Sequence, residues 1–251
     1  VAAPPRASGP FVPPPVAARV SYQLGGPYDP PPGVTVVDRD HTVDPVPGTY
    51  GICYVNAFQA ETAEVQDWQR EHPDTLLRRG GDLVVDERWD EPLLDTSTAA
   101  RRTAILAKVG GWIDECARRG YQGVELDNLD AATRSQGLLT DDDSFALAAD
   151  LITRAHAKGL AVAQKNAAEL SARGRSIGFD LAVAEECQVY DECGLYTDAY
   201  GTALVEIEYT DTPPDAFTTA CRQRARTASV VLRDRDVTPV GDTTHVERWC
   251  P

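Results

Sequence analysis

Apolar residues in this chain gather in short continuous runs that give way to helical spacing. Nine runs read as strands: VSYQL (20–24), VTVVD (34–38), YGICYVN (50–56), EPLLD (91–95), GVELDN (123–128), LAVAQKN (160–166), LAVAEE (181–186), ALVEIEY (203–209) and ASVVLRD (228–234). Several are rich in Val, Leu and Ile with little polar alternation, the pattern of strands covered on both faces. Between them, Ile105, Leu106, Val109, Trp112, Ile113 and Cys116 recur at helical spacing over 98–118. Thr140 and Asp143 form a capping-box pattern ahead of a helix over 141–157, and 215–226 reads as another helix. Repeated strand–helix units predict a parallel sheet.

Closed into a ring, these units make a single-domain (β/α)8 TIM-type barrel over residues 20–251. A Pro-rich extension over residues 1–19 precedes it, opening VAAPPRASGPFVPPPV, a composition that favours neither helix nor sheet. Nine candidate strands exceed eight by one. The link GGPYDPPPG (25–33) is too Pro-rich for a crossover helix, so one of the first two strands, or segment 91–95, is expected to be irregular or extra. An open doubly wound sheet is the alternative, but no Gly-rich phosphate loop of either common pattern follows a strand.

Polar residues crowd at the C-terminal ends of the strands: Asn56, Asp95, Asp127 with Asn128, Lys165 with Asn166, Glu185 with Glu186, Glu208, and Arg233 with Asp234. Active sites of such barrels lie on that rim. Alternation puts Glu125 and Asp127 on one face, and Glu206 and Glu208 on one face. If Asp127 points into the mouth, Glu125 lies a layer below. Paired carboxylates are the equipment of glycoside hydrolysis, and neighbouring acids push their pKa values apart, so that one keeps its proton. The plainer reading is that each acid caps the helix after its strand; acids at so many successive strand ends favour a shared site. Lys165 stands out because only three of the 24 basic residues are lysines.

The formal charge of −15 argues against a nucleic acid partner and suits a neutral or cationic substrate, with solubility as the competing explanation. No apolar run approaches the roughly 20 residues of a spanning helix, so no membrane partner is expected. The four histidines are scattered, H-E-x-x-H is absent and no G-x-S-x-G elbow occurs, so the expectation is no metal, no cofactor and no serine nucleophile. Asp141, Asp142 and Asp143 read as the acidic first turn of a helix, not as a cation site. Six cysteines without a C-x-x-C pair point to three disulfides and an oxidising compartment. The absence of Met fits a mature secreted chain. Trp89, Tyr190 and Tyr209 are suited either to stacking a sugar or to packing beneath the rim.

The segments YQL (22–24), ICYVNAFQAE (52–61), GVELDNLD (123–130), QKN (164–166), AVAEECQVYDEC (182–193) and VEIEY (205–209) resemble glycoside hydrolase family 114, the endo-α-1,4-polygalactosaminidases. The resemblance runs in order from Tyr22 to the C-terminus. It implies a TIM-type barrel that cleaves α-1,4-linked galactosamine polymers with retention of configuration; apart from the resemblance, a secreted monomer is expected. It assigns Asp127 of LDN as nucleophile and Glu185, first acid of EEC, as acid/base. Tyr22, Gln23, Tyr54, Asn128, Lys165, Glu208 and Arg233 would contact substrate. The chain carries Ala184 where the family often has Asn, and Glu186 where it often has Gln, which makes Glu186 a rival acid. Alternation admits only one of the two to the mouth, and the motif favours Glu185. An inverting glycosidase and an inactive carbohydrate-binding barrel are the other readings. Cys187 and Cys193 are expected to brace the loop beside Glu185, Cys221 and Cys250 to tie the last helix to the C-terminus, and Cys53 and Cys116 to pair or to remain as buried thiols.

Overall fold

A computed structural model describes residues 11–251; the first ten residues of the expected extension lie outside the described residues. Eight parallel strands run in chain order: β1 (Val20–Tyr22), β2 (Val36–Asp40), β3 (Tyr50–Asn56), β4 (Gly123–Asp127), β5 (Ala161–Lys165), β6 (Leu181–Glu185), β7 (Leu204–Tyr209) and β8 (Ser229–Arg233). A ninth, β9 (Glu247–Trp249), lies antiparallel along the outer edge of β8. The sheet curls into a nearly closed TIM-type barrel. Across the seam the Trp249 indole donates to the Val20 carbonyl at 2.7 Å, Ser21 to Glu247 at 2.7 Å and the Ala18 amide to Ser229 at 2.9 Å. β9 therefore occupies an edge that β8 would otherwise expose.

Alternation divides the barrel residues into two sets. One set faces inward, where Val20, Val36, Ile52, Ala161, Leu181, Val205 and Val231 fill the lower interior. The other packs outward under the helices, with Val124, Leu126, Val162, Ala182 and Ala184 meeting Ile105, Val109, Ile113, Leu147 and Leu151. Those helical residues belong to α2 (Ala99–Arg119) and α3 (Asp141–Ala157), which follow α1 (Val65–Glu71). Thr98 caps α2, Gly120 ends it at φ 94°, and Thr140 with Asp143 forms the capping box of α3. Shorter helices α4 (Ser171–Ile177), α5 (Cys193–Tyr200) and α6 (Ala216–Arg224) cross between the later strands.

Helices are absent from the β1–β2 and β2–β3 connections among the described residues. Loops replace them, anchored by Arg39, whose guanidinium donates to Gln23 Oε1 (2.8 Å), the Tyr28 carbonyl (2.6 Å) and the Asp44 carbonyl (3.0 Å). The surplus ninth candidate is segment 91–95. Glu91–Pro92 pairs with Val85–Asp86 in a two-stranded ribbon within the long β3–α2 connection, outside the barrel. Disulfides join Cys53 of β3 to Cys116 of α2, Cys187 to Cys193 beyond β6, and Cys221 of α6 to Cys250 after β9. Residues 11–19 lie against the N-terminal end of the barrel, where Phe11 stacks on His156 at 4.3 Å and the Val12 carbonyl accepts from Tyr50 at 2.7 Å.

Candidate active site

Inward-facing positions become polar toward the C-terminal ends of the strands, and there they converge on one ammonium group. Lys165 Nζ lies 3.2 Å from Glu125 Oε1, 3.6 Å from Asp127 Oδ2 and 3.3 Å from Glu185 Oε2, and donates to the Tyr22 hydroxyl at 2.9 Å. Burial alone would strip the proton from Lys165, but Asp127, Glu185, Tyr22 and Glu125 around it hold its pKa well above the ordinary lysine value. Strands β4, β5 and β6 are neighbours, so their last inward residues meet without any loop having to reach.

Each rim acid has its own donors. Asp127 accepts from the Tyr54 hydroxyl at Oδ2 (2.8 Å) and from the Asn128 amide at Oδ1 (2.7 Å). Glu185 accepts from Asn166 Nδ2 at Oε2 (2.8 Å) and from the Tyr209 hydroxyl at Oε1. Burial pushes the Glu185 carboxyl up, but Lys165 and the hydrogen bonds from Tyr209 and Asn166 outweigh it and hold the group below its ordinary value. The pairing of acids was expected to leave one protonated; with a lysine between them, Glu185 is instead held ionised.

Just past the strands the chain turns through the left-handed region at Asn128 (φ 66°), Asn166 (φ 49°) and Glu186 (φ 60°). Asn tolerates this conformation; Glu does so less readily. Arg235 holds Glu186 there with bonds of 2.9 and 2.7 Å to its two oxygens, and also pairs with Asp211. The turn interrupts alternation, so Glu185 and Glu186 both line the cleft, contrary to the expectation that one alone would enter it. They differ in partner: Glu185 meets Lys165, and Glu186 is taken up by Arg235.

The cleft encloses about 890 Å³. Tyr22, Tyr54, Asp127, Asn128, Lys165 and Glu185 all line it; Gln23, Glu208 and Arg233 do not. Gln23 points outward and holds Arg39. Glu208 falls on the outward phase of β7 with Glu206, accepting the Gln188 amide at 3.0 Å while Arg224 grips Glu206; Tyr209 is the β7 residue that faces the cleft. Arg233 is inward but wholly buried, its guanidinium donating to the carbonyls of Val246 and Thr238, both at 2.9 Å. Asp95 stands four residues ahead of α2, accepting from the Ser97 amide and hydroxyl and paired with Arg101 at 3.1 Å, outside the cleft; the cap of that helix is Thr98.

Sequence reading gives Asn166 no role, leaves Tyr209 between stacking a sugar and packing beneath the rim, and passes over Asp38 and Asp40. The strand had been placed over 34–38; it runs to Asp40, so Val36, Asp38 and Asp40 share the inward phase. Among the described residues, Cys187, Cys193 and Glu206 have metal-ligand spacing, but the two sulfurs are joined in a disulfide.

The walls of the cleft come from loops. Asp86, Arg88, Trp89 and Glu91 project from the β3–α2 connection, and Tyr190 from the loop after β6. Trp89 and Tyr190 are 54% and 65% exposed, open for stacking. Eleven acids line the cleft against four cations. Burial and neighbouring acids push Glu61 up to about 7; burial does the same to Glu91, helped by Asp127 and Asp86 against a bond from Asn56.

Residues 1–251 match the model of glycoside-hydrolase family GH114. No curated protein matches the chain in sequence. Among solved structures it is similar to Aspergillus fumigatus Ega3 in complex with galactosamine, at 22% identity and TM-score 0.76, covering 98% of this chain and 100% of that one. It is also similar to the glycoside hydrolase domain of PelA from Pseudomonas aeruginosa, at 16% identity and TM-score 0.62, covering 90% of this chain and 98% of that domain.

Proposed function

The chain belongs to glycoside-hydrolase family GH114, and from that premise we propose that it is a secreted endo-hydrolase of α-1,4-linked galactosamine polymers, using Asp127 and Glu185 in a retaining mechanism. The observation that carries this reading is the single ammonium of Lys165 touching a carboxylate oxygen of each acid on the cleft floor. Those two contacts cap the separation of the bridged oxygens at about 7 Å, which is compatible with the roughly 5–5.5 Å arrangement of a retaining pair. Ega3 binds galactosamine, and an acidic cleft suits a polymer of amino sugars. Three disulfides favour an oxidising compartment.

In the first step an Asp127 oxygen attacks the anomeric carbon while the glycosidic C–O bond breaks, and Glu185 gives its proton to the departing oxygen. A glycosyl ester of Asp127 results. In the second step Glu185 takes a proton from water, the water oxygen attacks the anomeric carbon, and the ester C–O bond breaks. Asp127 is freed as a carboxylate and Glu185 regains its proton.

One observation favours a second reading with the two roles exchanged. Lys165, Tyr209 and Asn166 hold Glu185 ionised, a state that suits a nucleophile better than an acid. Substrate entering the cleft must lift the carboxyl for the first reading to operate.

The test is incubation with purified galactosaminogalactan, with products read by mass spectrometry, followed by trapping with a fluorinated galactosaminide and peptide mapping. Internal cleavage and a label on Asp127 are expected. A label on Glu185 would reverse the roles, and the absence of any trapped ester with inverted product would refute retention. Asp127→Asn and Glu185→Gln are each expected to lower kcat by about 10²–10⁴-fold with circular dichroism unchanged.

A further inference from the structure

We propose that Asp38 and Glu125 hold one proton between them, carried on Asp38, and act as positioning residues that fix Lys165 beneath Asp127 and Glu185; this rests on the reading of those two as the reacting acids. Asp38 comes from β2 and Glu125 from β4, and alternate strands of such a barrel contribute to the same interior layer. Asp38 is 1% exposed and Glu125 fully buried.

Both inward carboxyls are buried, and each shifts the other's titration as a side-chain hydrogen-bond partner would. Yet Asp38 Oδ1 and Glu125 Oε2 find no N–H or O–H donor in any other residue. Two ionised carboxylates are acceptors only, so a bond between them needs a proton. The remaining contacts say which acid carries it. Glu125 Oε1 already meets the Lys165 ammonium at 3.2 Å and the Tyr22 hydroxyl at 3.4 Å, the surroundings of an anion. Asp38 makes no comparable contact with a cation, and burial and the adjacent Glu125 push its carboxyl well above the ordinary range.

The groups facing the pair are Tyr22 from β1, Asp127 from β4, Lys165 from β5 and Glu185 from β6. With both acids ionised, one ammonium would face four carboxylates in a dry interior. With Asp38 neutral it faces three, and Glu125 draws Nζ down from the cleft floor so that it meets both rim acids from below. Asp38 never touches the sugar. Its effect passes through Glu125 to Lys165.

Infrared difference spectroscopy of the unliganded protein at pH 7 tests the proton directly. Beyond the bands of Glu61, Glu91 and Glu208, which are still partly protonated at this pH, one further C=O stretch of a neutral, buried carboxylic acid is expected in the wild type, slow to exchange with bulk solvent, and absent from Asp38→Asn. Kinetics test the positioning. Asp38→Ala leaves Glu125 Oε2 without a donor and is expected to lower kcat at least tenfold with KM unchanged. Asp38→Asn, whose amide donates where the acid proton did, is expected to recover at least tenfold over Asp38→Ala. Absence of the band from the wild type, its survival in Asp38→Asn, or equal loss in both variants would overturn the proposal. Should Asp38→Ala fail to fold, the infrared comparison still decides. A wild type inactive on every galactosamine polymer would refute the glycosidase reading alone, because the infrared result needs no substrate.

Discussion

Lys165 is a charge placed where a core would ordinarily put an apolar side chain, and its removal would leave Glu125, Asp127 and Glu185 facing one another without a counter-ion. Breaking a buried pair by deleting one partner costs roughly 3–5 kcal/mol. Lys165→Met is accordingly expected to lose about that much stability at neutral pH. Glu125 and Glu185, whose carboxyls Lys165 pulls down, then rise in pKa in the folded state. Stability from an acid raised on folding is present below its unfolded pKa and lost as pH climbs through the folded value, so the deficit should narrow toward pH 4. Urea denaturation at pH 7 and pH 4.5 measures both; an equal deficit at the two pH values would show that the lysine does not hold these acids ionised. At this scale much of the site was legible. Lys165 was marked by its strand-end position in a chain that otherwise uses arginine, and Glu125 by its phase with Asp127. Asp38 ends its run as the other rim acids do and answers to the same rule; what the run hides is that the strand continues to Asp40, which sets Asp38 a layer below the rim.

The same dependence on phase governs whole strands. On β7 the run LVEIEY sets Val205, Ile207 and Tyr209 on one face and Leu204, Glu206 and Glu208 on the other, and both faces are buried. Nothing in such a run says which face looks inward; only register against β6 and β8 decides, and it turns Tyr209 into the cleft and Glu208 toward the helices. Helices α2 and α3 carried their own signals in caps and 3.6-residue spacing, whereas β9, with the sequence ERW, has no apolar run to announce it. Glu208 checks the phase of β7. Burial pushes its carboxyl up to about 7, against the Gln188 amide, and Oε2 has no partner. An acid raised on folding weakens the fold as pH climbs from its unfolded value to its folded one. Glu208→Gln keeps an acceptor for the Gln188 amide and removes that loss. It should raise the melting temperature at pH 8 and change it little at pH 5, with a gain of up to about 3 kcal/mol from a shift of this size. Activity should stay within about twofold, since the side chain lies outside the cleft. A large fall in kcat or rise in KM would place Glu208 back among the substrate contacts.

Across the whole molecule, charge was legible in amount but not in place. A total of −15 spreads over any surface, and the acids of the cleft come from segments far apart in sequence: Asp40 ends β2, and Glu61, Glu91, Asp130, Glu169, Glu192 and Asp236 stand in different connections beyond the barrel strands. Only the closed barrel brings them to one opening. The consequence is a field that strengthens with pH in a range where most carboxylates have finished titrating. Glu61 and Glu91 ionise near pH 7, so the cleft gains negative charge between about pH 6 and 8, and attraction for an ammonium-bearing polymer grows with it until the ammonium groups themselves lose their protons. KM for partly deacetylated galactosaminogalactan should therefore be lowest within that interval, where the walls have ionised and the sugar ammonium groups still hold protons. It should also rise with added salt, because the screening length shrinks from about 10 Å at 0.1 M to about 3 Å at 1 M. Fully N-acetylated polymer carries no such charge and should show neither dependence. Glu61→Gln and Glu91→Gln together should flatten the pH response on the cationic polymer while leaving kcat near that of the parent, since neither side chain touches Lys165, Asp127 or Glu185 in the contacts described above. Should KM for the two polymers respond alike to pH and salt, the acidic walls would not be what draws the substrate in, and binding would have to rest on stacking against exposed rings such as Trp89 and Tyr190.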